Sequence, residues 1–345
     1  MNKINEALSQ KELPRSGRKM SNETFINLSM LVVLLVLFTV ICFVVPNFFS
    51  LSNIQNLISN YWYIIILGVG VTFLLITGHF DMSVGGIIAL AGVLSAFFCQ
   101  SNVAAASSEL SRGLGMNYGV SIALALLCCL GIGAVNAFFI GKLKVASIII
   151  TLGTMSVARG IAQAVAQGAQ RSTGLPDIYK VVGNSSFVGS LKISVLIMII
   201  IVAVAIFIEK KTTFGRRTYL IGANQEAARL SGVKVEKHIY TLYLFSSLLA
   251  GITGILLASE VNAGMSSRGT GNEFDALVIV LLGGTSINGG FGSVVGTVIG
   301  AFIIAVITSA STGMLLRPEW QYILKGVVTF LAILAQRYAL DKRNA

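Results

Sequence analysis

Apolar runs of membrane-crossing length follow one another along this chain, separated by short polar intervals. In hydrocarbon a run of about 20 residues can satisfy its backbone hydrogen bonds within itself only as a helix. Such a chain is therefore confined to a bundle of transmembrane helices. The charge content agrees: 11% of the 345 residues are charged and 55% hydrophobic, whereas soluble domains carry roughly 25% charged residues. The 36 glycines suit helices that pack closely through small residues.

The runs fall at about 28–45, stopped by Pro46, then 61–77, 85–99, 118–141, 145–167, 191–208 and 239–259. An eighth begins at Ala276 and is broken over 283–293; runs at 294–310 and 320–335 follow. Tyr61, Trp62 and Tyr63 read as an aromatic belt at one membrane surface. The fold class expected is all-α: a polytopic membrane protein of about ten transmembrane helices with two broken or re-entrant segments. Of the 25 Lys and Arg, 17 lie in the segments 1–27, 142–144, 209–238 and 336–345. Positive charge marks the cytoplasmic side, so both termini are placed there. The chain divides into a cytoplasmic N-terminal segment (1–27), a first membrane half (28–208), a cytoplasmic loop (209–238), a second membrane half (239–335) and a cytoplasmic tail (336–345). Basic residues precede the first run, but it is too long for a signal core and lacks a cleavage site after it.

Several functions are excluded. The net charge of +11 comes from membrane-flanking segments, which accounts for it without nucleic acid. Cys42, Cys99, Cys128 and Cys129 sit in or beside apolar runs and have no metal-ligand spacing. No catalytic triad, paired-carboxylate site or cofactor motif is present, and GGTSINGGFGS lacks the Lys-Ser/Thr ending of a phosphate-binding loop. The chain reads as a conduit, not an enzyme, with neither metal nor cofactor.

Two polar interruptions mark the conduit. Asp81 interrupts VTFLLITGHFDMSVGGIIALAGVL, and a carboxylate at membrane depth costs about 2.5–3.5 kcal/mol on insertion scales. It must cap a half-helix, accepting from Ser83 or Val84, or line a pathway. Gly78, Gly85 and Gly86 permit the helix break, and His79 reads as a structural residue. The second interruption spans Gly283, Gly284, Thr285, Ser286, Asn288, Gly289 and Gly290, and Gly292, Gly296 and Gly300 then form a smooth face. Paired breaks in two halves point to a central pathway, for which Asp81, Ser83, Thr285, Ser286 and Asn288 are the candidates. Arg159, inside a run, either snorkels outward or pairs with Asp81.

Residues 209–238 are the one long polar interval between the first run and the last, with seven Lys and Arg. A short helix is expected there. Asn224 caps it, Glu226 and Arg229 suit its dipole, and Gly232 ends it. It is a solvated loop or a surface helix that docks on a cytoplasmic partner.

The stretches PNFFSLSNIQNLI, GHFDMSVGGIIALAG, TLGTMSVARGIA, GRRTYLIGANQEAARLSGVKV and VIVLLGGTSINGGFGSVVGTVIGA resemble, over nearly the whole chain, the membrane permeases of bacterial ABC importers for monosaccharides such as ribose, galactose, arabinose and xylose. His79 and Phe80 depart from the family's usual GGIDLSVGS. The resemblance implies a permease of the bacterial inner membrane that forms a dimer, preferably with itself, and works with a cytoplasmic ATPase on a separate chain and a periplasmic sugar-binding protein. It also implies that 222–232 couples to the ATPase, through Gly222, Asn224, Glu226, Ala227, Ala228, Arg229 and Gly232. Related importers of branched-chain amino acids or nucleosides, and an ion-coupled secondary transporter, are the rival readings.

Overall fold

The computed structural model describes residues 22–101, 113–167, 170–188 and 191–317, and scattered positions between 319 and 334. In chain order its helices are α1 (Asn22–Val44), α2 (Leu51–Ile76), α3 (Val84–Cys99), α4 (Tyr118–Ala137, prolonged by a π-helical turn, Phe138–Lys142), α5 (Ser147–Ala166), α6 (Asp177–Asn184), α7 (Ile193–Lys211), α8 (Thr213–Ala223), α9 (Gln225–Leu230), α10 (Val235–Glu260), α11 (Asn272–Leu282) and α12 (Val294–Gly313). Among the described residues seven of these, α1, α2, α4, α5, α7, α10 and α12, are long and apolar enough to cross a membrane, and α3 is a shorter apolar helix. The molecule is an all-α polytopic membrane protein. The expected run at 320–335 and the two polar ends lie largely outside the described residues.

Three helices make the centre. From Trp62 to Ile76, α2 is buried on nearly every side, as are most of α3 and much of α10. An apolar helix with no polar face is stable only when covered all round. Its neighbours come from both halves of the chain: α10 packs on α3 and α4, and α2 packs on α11 and α12. In contrast α1, α4, α5 and α7 turn much of their apolar surface outward, as helices facing lipid do.

Placing α2 at the centre takes Trp62 out of the expected aromatic belt. Trp62 is fully buried where the covered part of α2 begins, while Tyr61 and Tyr63 stay partly exposed. The helix also begins at Leu51, ten residues before the expected run, where the Ser50 Oγ accepts from the Asn53 N–H at 3.2 Å.

The connections are more structured than polar composition suggests. The interval 168–190 holds α6, whose Tyr179 is fully buried. Strand β1 (Gln170–Arg171) pairs antiparallel with β4 (Gly264–Met265), Gln170 opposite Met265, and β2 (Ser186–Val188) pairs with β3 (Leu191–Lys192). The α10–α11 connection runs along α3: Gly264 lies against Val93 and Ala96, and Gly269 against Gly85 and Ile88. Irregular backbone is tolerated at such depth only where protein covers it or it lines a cavity.

Lys144 pairs with Glu236 at 3.8 Å and Lys210 with Glu23 at 3.2 Å. These contacts gather the α4–α5 turn, the start of α1 and the segment 209–238 at one end of the bundle, the basic end.

Candidate functional site

Helix α2 stops at Thr77, and Gly78 takes a left-handed φ of 78°. The chain then crosses to α3 through His79–Ser83, which α4, α5 and α10 hold. The Phe80 N–H donates to the Ser147 Oγ (3.1 Å), and the Tyr243 hydroxyl donates to the Phe80 carbonyl (2.8 Å). Asp81 is 3% exposed. Its Oδ1 accepts from the Ser83 N–H (3.0 Å) and from the Ser83 hydroxyl, and its Oδ2 accepts from Ser246 Oγ of α10 (2.7 Å). Ser83 Oγ accepts from Asn136 Nδ2 of α4 (2.9 Å), and Asn136 Oδ1 accepts from Thr154 Oγ1 of α5 (2.7 Å).

Both carboxylate oxygens of Asp81 are thus engaged inside the protein, and the capping contact goes to Ser83, not Val84. Arg159 is not its partner: its Nη1 donates to Thr270 Oγ1 (2.6 Å) and to the Ser266 carbonyl (3.3 Å) in the α10–α11 connection. Gly85 and Gly86 fall within the first turn of α3 and not in the break. There they allow close approach, a Cβ on Gly86 overlapping the Met155 carbonyl and one on Gly85 the Glu273 carboxylate.

The second break joins α11 to α12. Gly284, Gly289, Gly290 and Gly292 all have positive φ, a run of backbone that side chains would strain. The Ser286 N–H donates to the Phe291 carbonyl (2.9 Å), closing the loop, and Ser293 caps α12 by accepting from the Gly296 N–H (3.0 Å). Thr285 is buried with its hydroxyl unpartnered, whereas Asn288 is exposed. Gly296 and Gly300 give the close face expected, lying against the carbonyls of Gly283 and Ile279; Gly292 belongs to the break.

The two breaks touch. The Gly290 N–H donates to the Ile76 carbonyl at 2.8 Å, and Gly289 approaches Gly78. Asp81 bonds to none of Thr285, Ser286 or Asn288, so of the sequence candidates the structure joins glycines and backbone, not polar side chains.

At the same junction sits the polar segment. Gly222, at the end of α8, is so close that a Cβ would overlap the Ile76 carbonyl and crowd the Gly290 N–H at 2.5 Å. Helix α9 follows with the caps expected of it. Asn224 Oδ1 accepts from the Ala227 N–H (3.0 Å), Glu226 pairs with Arg229 (2.7 Å), and the Gly232 N–H donates to the Arg229 carbonyl (2.9 Å) with φ at 79°. Ala228 faces inward, 3% exposed, while Glu226, Ala227 and Leu230 face out, Leu230 at 89%. Beside α9 a cavity of about 420 Å³ is lined by Arg217, Lys234, Lys237 and His238 among others.

Helix α8 escapes sequence reading. Thr212 caps it, accepting from the Gly215 N–H (3.3 Å), and His238 of α10 holds it through Thr218 Oγ1 (2.9 Å) and by stacking on Phe214 (4.3 Å). Its Tyr219 hydroxyl lies 2.6 Å from Glu209 Oε1 and 2.7 Å from the Gly292 carbonyl oxygen. Glu209 Oε2 accepts from the Val294 N–H at 3.2 Å. Glu209 and Tyr219 carried no local signal, since the groups they meet lie 85 and 73 residues away along the chain.

Comparison with known proteins covers nearly the whole chain. The family described as branched-chain amino acid transport system / permease component matches residues 53–333. The ribose import permease protein of Haemophilus influenzae is 32% identical over 315 residues, 90% of this chain and 93% of that protein. Its Escherichia coli counterpart is 33% identical over 88% of this chain and 91% of its own length. The galactose/methyl galactoside import permease protein of Escherichia coli is 32% identical over the same shares. No solved structure matches.

Proposed function

The chain belongs to the permease-component family of the branched-chain amino acid transport system, and on that premise we propose that it is the membrane subunit of an ATP-driven importer of monosaccharides. The observation that carries the sugar reading is the similarity, over nine-tenths of the chain, to permeases named for ribose and galactose. Ten helices cross the bacterial inner membrane, both termini lie in the cytoplasm, and the basic end faces the cytoplasm. A separate ATPase docks there, a periplasmic binding protein delivers the sugar at the other end, and a second copy of the chain completes the pathway.

In this reading the ATPase receives α9. Its outward face, with Glu226, Ala227 and Leu230, is the contact, and Asn224, Gly222, Arg229 and Gly232 hold the shape. Ala228 supports the helix from beneath, because it is buried. The cationic cavity beside it suits an acidic rim on the partner. ATP-driven closure moves α8 and α9, and the Gly222 junction passes that motion to both breaks. Asp81 and Ser83 hold the first break, and Thr285, Ser286 and Asn288 belong to the second. The sugar meets polar groups weakly, since tight binding would slow its release.

A second reading, import of branched-chain amino acids, is favoured by the family's description. Reconstitution decides between them. The chain, its co-purifying ATPase and binding protein are placed in proteoliposomes with labelled ribose, galactose or leucine. Uptake of a sugar that requires ATP is expected. Leucine uptake in its place sinks the sugar reading, and uptake on an ion gradient without ATP sinks the importer.

A further inference from the structure

The Tyr219 hydroxyl has one hydrogen and two oxygens at short hydrogen-bonding distance, Glu209 Oε1 and the Gly292 carbonyl. A carbonyl cannot donate, and neither can an ionised carboxylate. If Glu209 were ionised, one of these two contacts would bring acceptors together with no hydrogen between them. One arrangement serves all three contacts. The Glu209 acid O–H donates to Tyr219, Tyr219 donates to Gly292, and the Val294 N–H donates to the other Glu209 oxygen. Burial pushes the Tyr219 hydroxyl far up, so Tyr219 keeps its hydrogen.

The charges nearby agree. Glu209 faces Glu23 of α1, its neighbour Lys210 and Tyr219 of α8. Lys210 pairs with Glu23, and among the described residues Glu209 forms no ion pair. A buried carboxyl that forms no ion pair is cheaper neutral.

We infer that Glu209 and Tyr219 form a proton-bearing relay that fastens α7 and α8 to the Gly-rich break, so that they are positioning residues for the transmission of motion to α12. The inference rests on the reading of α8 and α9 as the segment an ATPase drives. Gly222 gives steric contact at the far end of α8; the relay gives a directed link at its middle. Steric contact can only push, whereas a hydrogen bond also pulls, and an alternating cycle needs both.

The test uses the full importer in proteoliposomes, reading ATP hydrolysed per sugar taken up. Tyr219→Phe keeps the ring and removes the hydrogen. It is expected to leave ATPase association unchanged and raise ATP consumed per sugar about tenfold, the size of one lost buried hydrogen bond. Glu209→Ala should do the same. Glu209→Gln, whose amide donates to Tyr219 and accepts from Val294, should restore the wild-type ratio. A merely structural role predicts instead a parallel fall in both activities. An unchanged ratio in Tyr219→Phe overturns the link.

Infrared difference spectra of wild type against Glu209→Gln test the proton separately. A protonated-carboxyl C=O band that Glu209→Gln abolishes is expected, and its absence overturns the relay. If the wild-type complex takes up no sugar on ATP, the functional reading is at fault, and the carboxyl band alone decides the relay.

Discussion

At the scale of the single residue, Asp81 shows how hydrogen-bond bookkeeping separates two roles that sequence leaves open. Its Oδ1 accepts from Ser83 and its Oδ2 from Ser246. In Asp81→Asn the amide oxygen can keep Ser83, and the amide nitrogen can donate to Ser246, whose hydroxyl rotates to accept. Asp81→Ala strands buried donors at Ser83 and Ser246. We expect the Asn variant to melt close to wild type and the Ala variant to lose about 1–3 kcal/mol. Wild-type melting with abolished uptake in Asp81→Asn would mean that the charge itself serves the pathway. Asn224 was legible because a cap is a contact three residues long. The Glu209–Tyr219–Gly292 contacts were not, because burial at a distance leaves no local mark.

At the scale of the element, glycine has three uses here, and they predict different costs. Gly222 presses its backbone on the Ile76 carbonyl, so in Gly222→Ala the methyl must displace main chain in α2 or in the second break. Overpacking of that kind costs about 1–3 kcal/mol. Gly232 stands in open space but at a left-handed φ of 79°, where Ala costs about 1–2 kcal/mol through the backbone alone. Gly131 is helical with nothing near it, and Ala there should be neutral or slightly stabilising. Melting of the three variants in one detergent should rank Gly131→Ala above the other two, and a Gly222→Ala protein as stable as Gly131→Ala removes the junction. Sequence periodicity located the long helices, since apolar length is a property of the run alone. It missed α8 because TFGRRTYLIGA lies inside a polar interval and its buried side, Gly215, Thr218 and Ile221, holds a single large apolar residue. That α3 covers the α10–α11 connection was not legible either, because polar residues look alike whether water or a helix covers them.

For the whole molecule, the question is which outer surface meets lipid and which meets the proposed second copy. Helix α5 is the least apolar of the seven long helices. Its exposed side carries Ser156, Gly160 and Ala164 at intervals of four, with Gln163 between. A Cβ at Gly153 or Gly160 would touch nothing. Small residues at that spacing let two helices approach closely in a membrane, and exposed polar atoms are costly against lipid. Both helices expose large apolar residues, Val120, Leu127 and Val135 on α4 and Ile149, Val157 and Ile161 on α5, but only α5 sets the row of Ser156, Gly160 and Ala164 among them. We therefore expect the proposed second copy to pack on α5. Gly160→Leu should shift the protein toward monomer in cross-linking and light scattering, with melting little changed, because the site is open within one chain. Gly131→Leu should leave the dimer intact. If Gly160→Leu dimerises as wild type and Gly131→Leu does not, the pathway between copies must be sought along α4, and the polar face of α5 needs another cover.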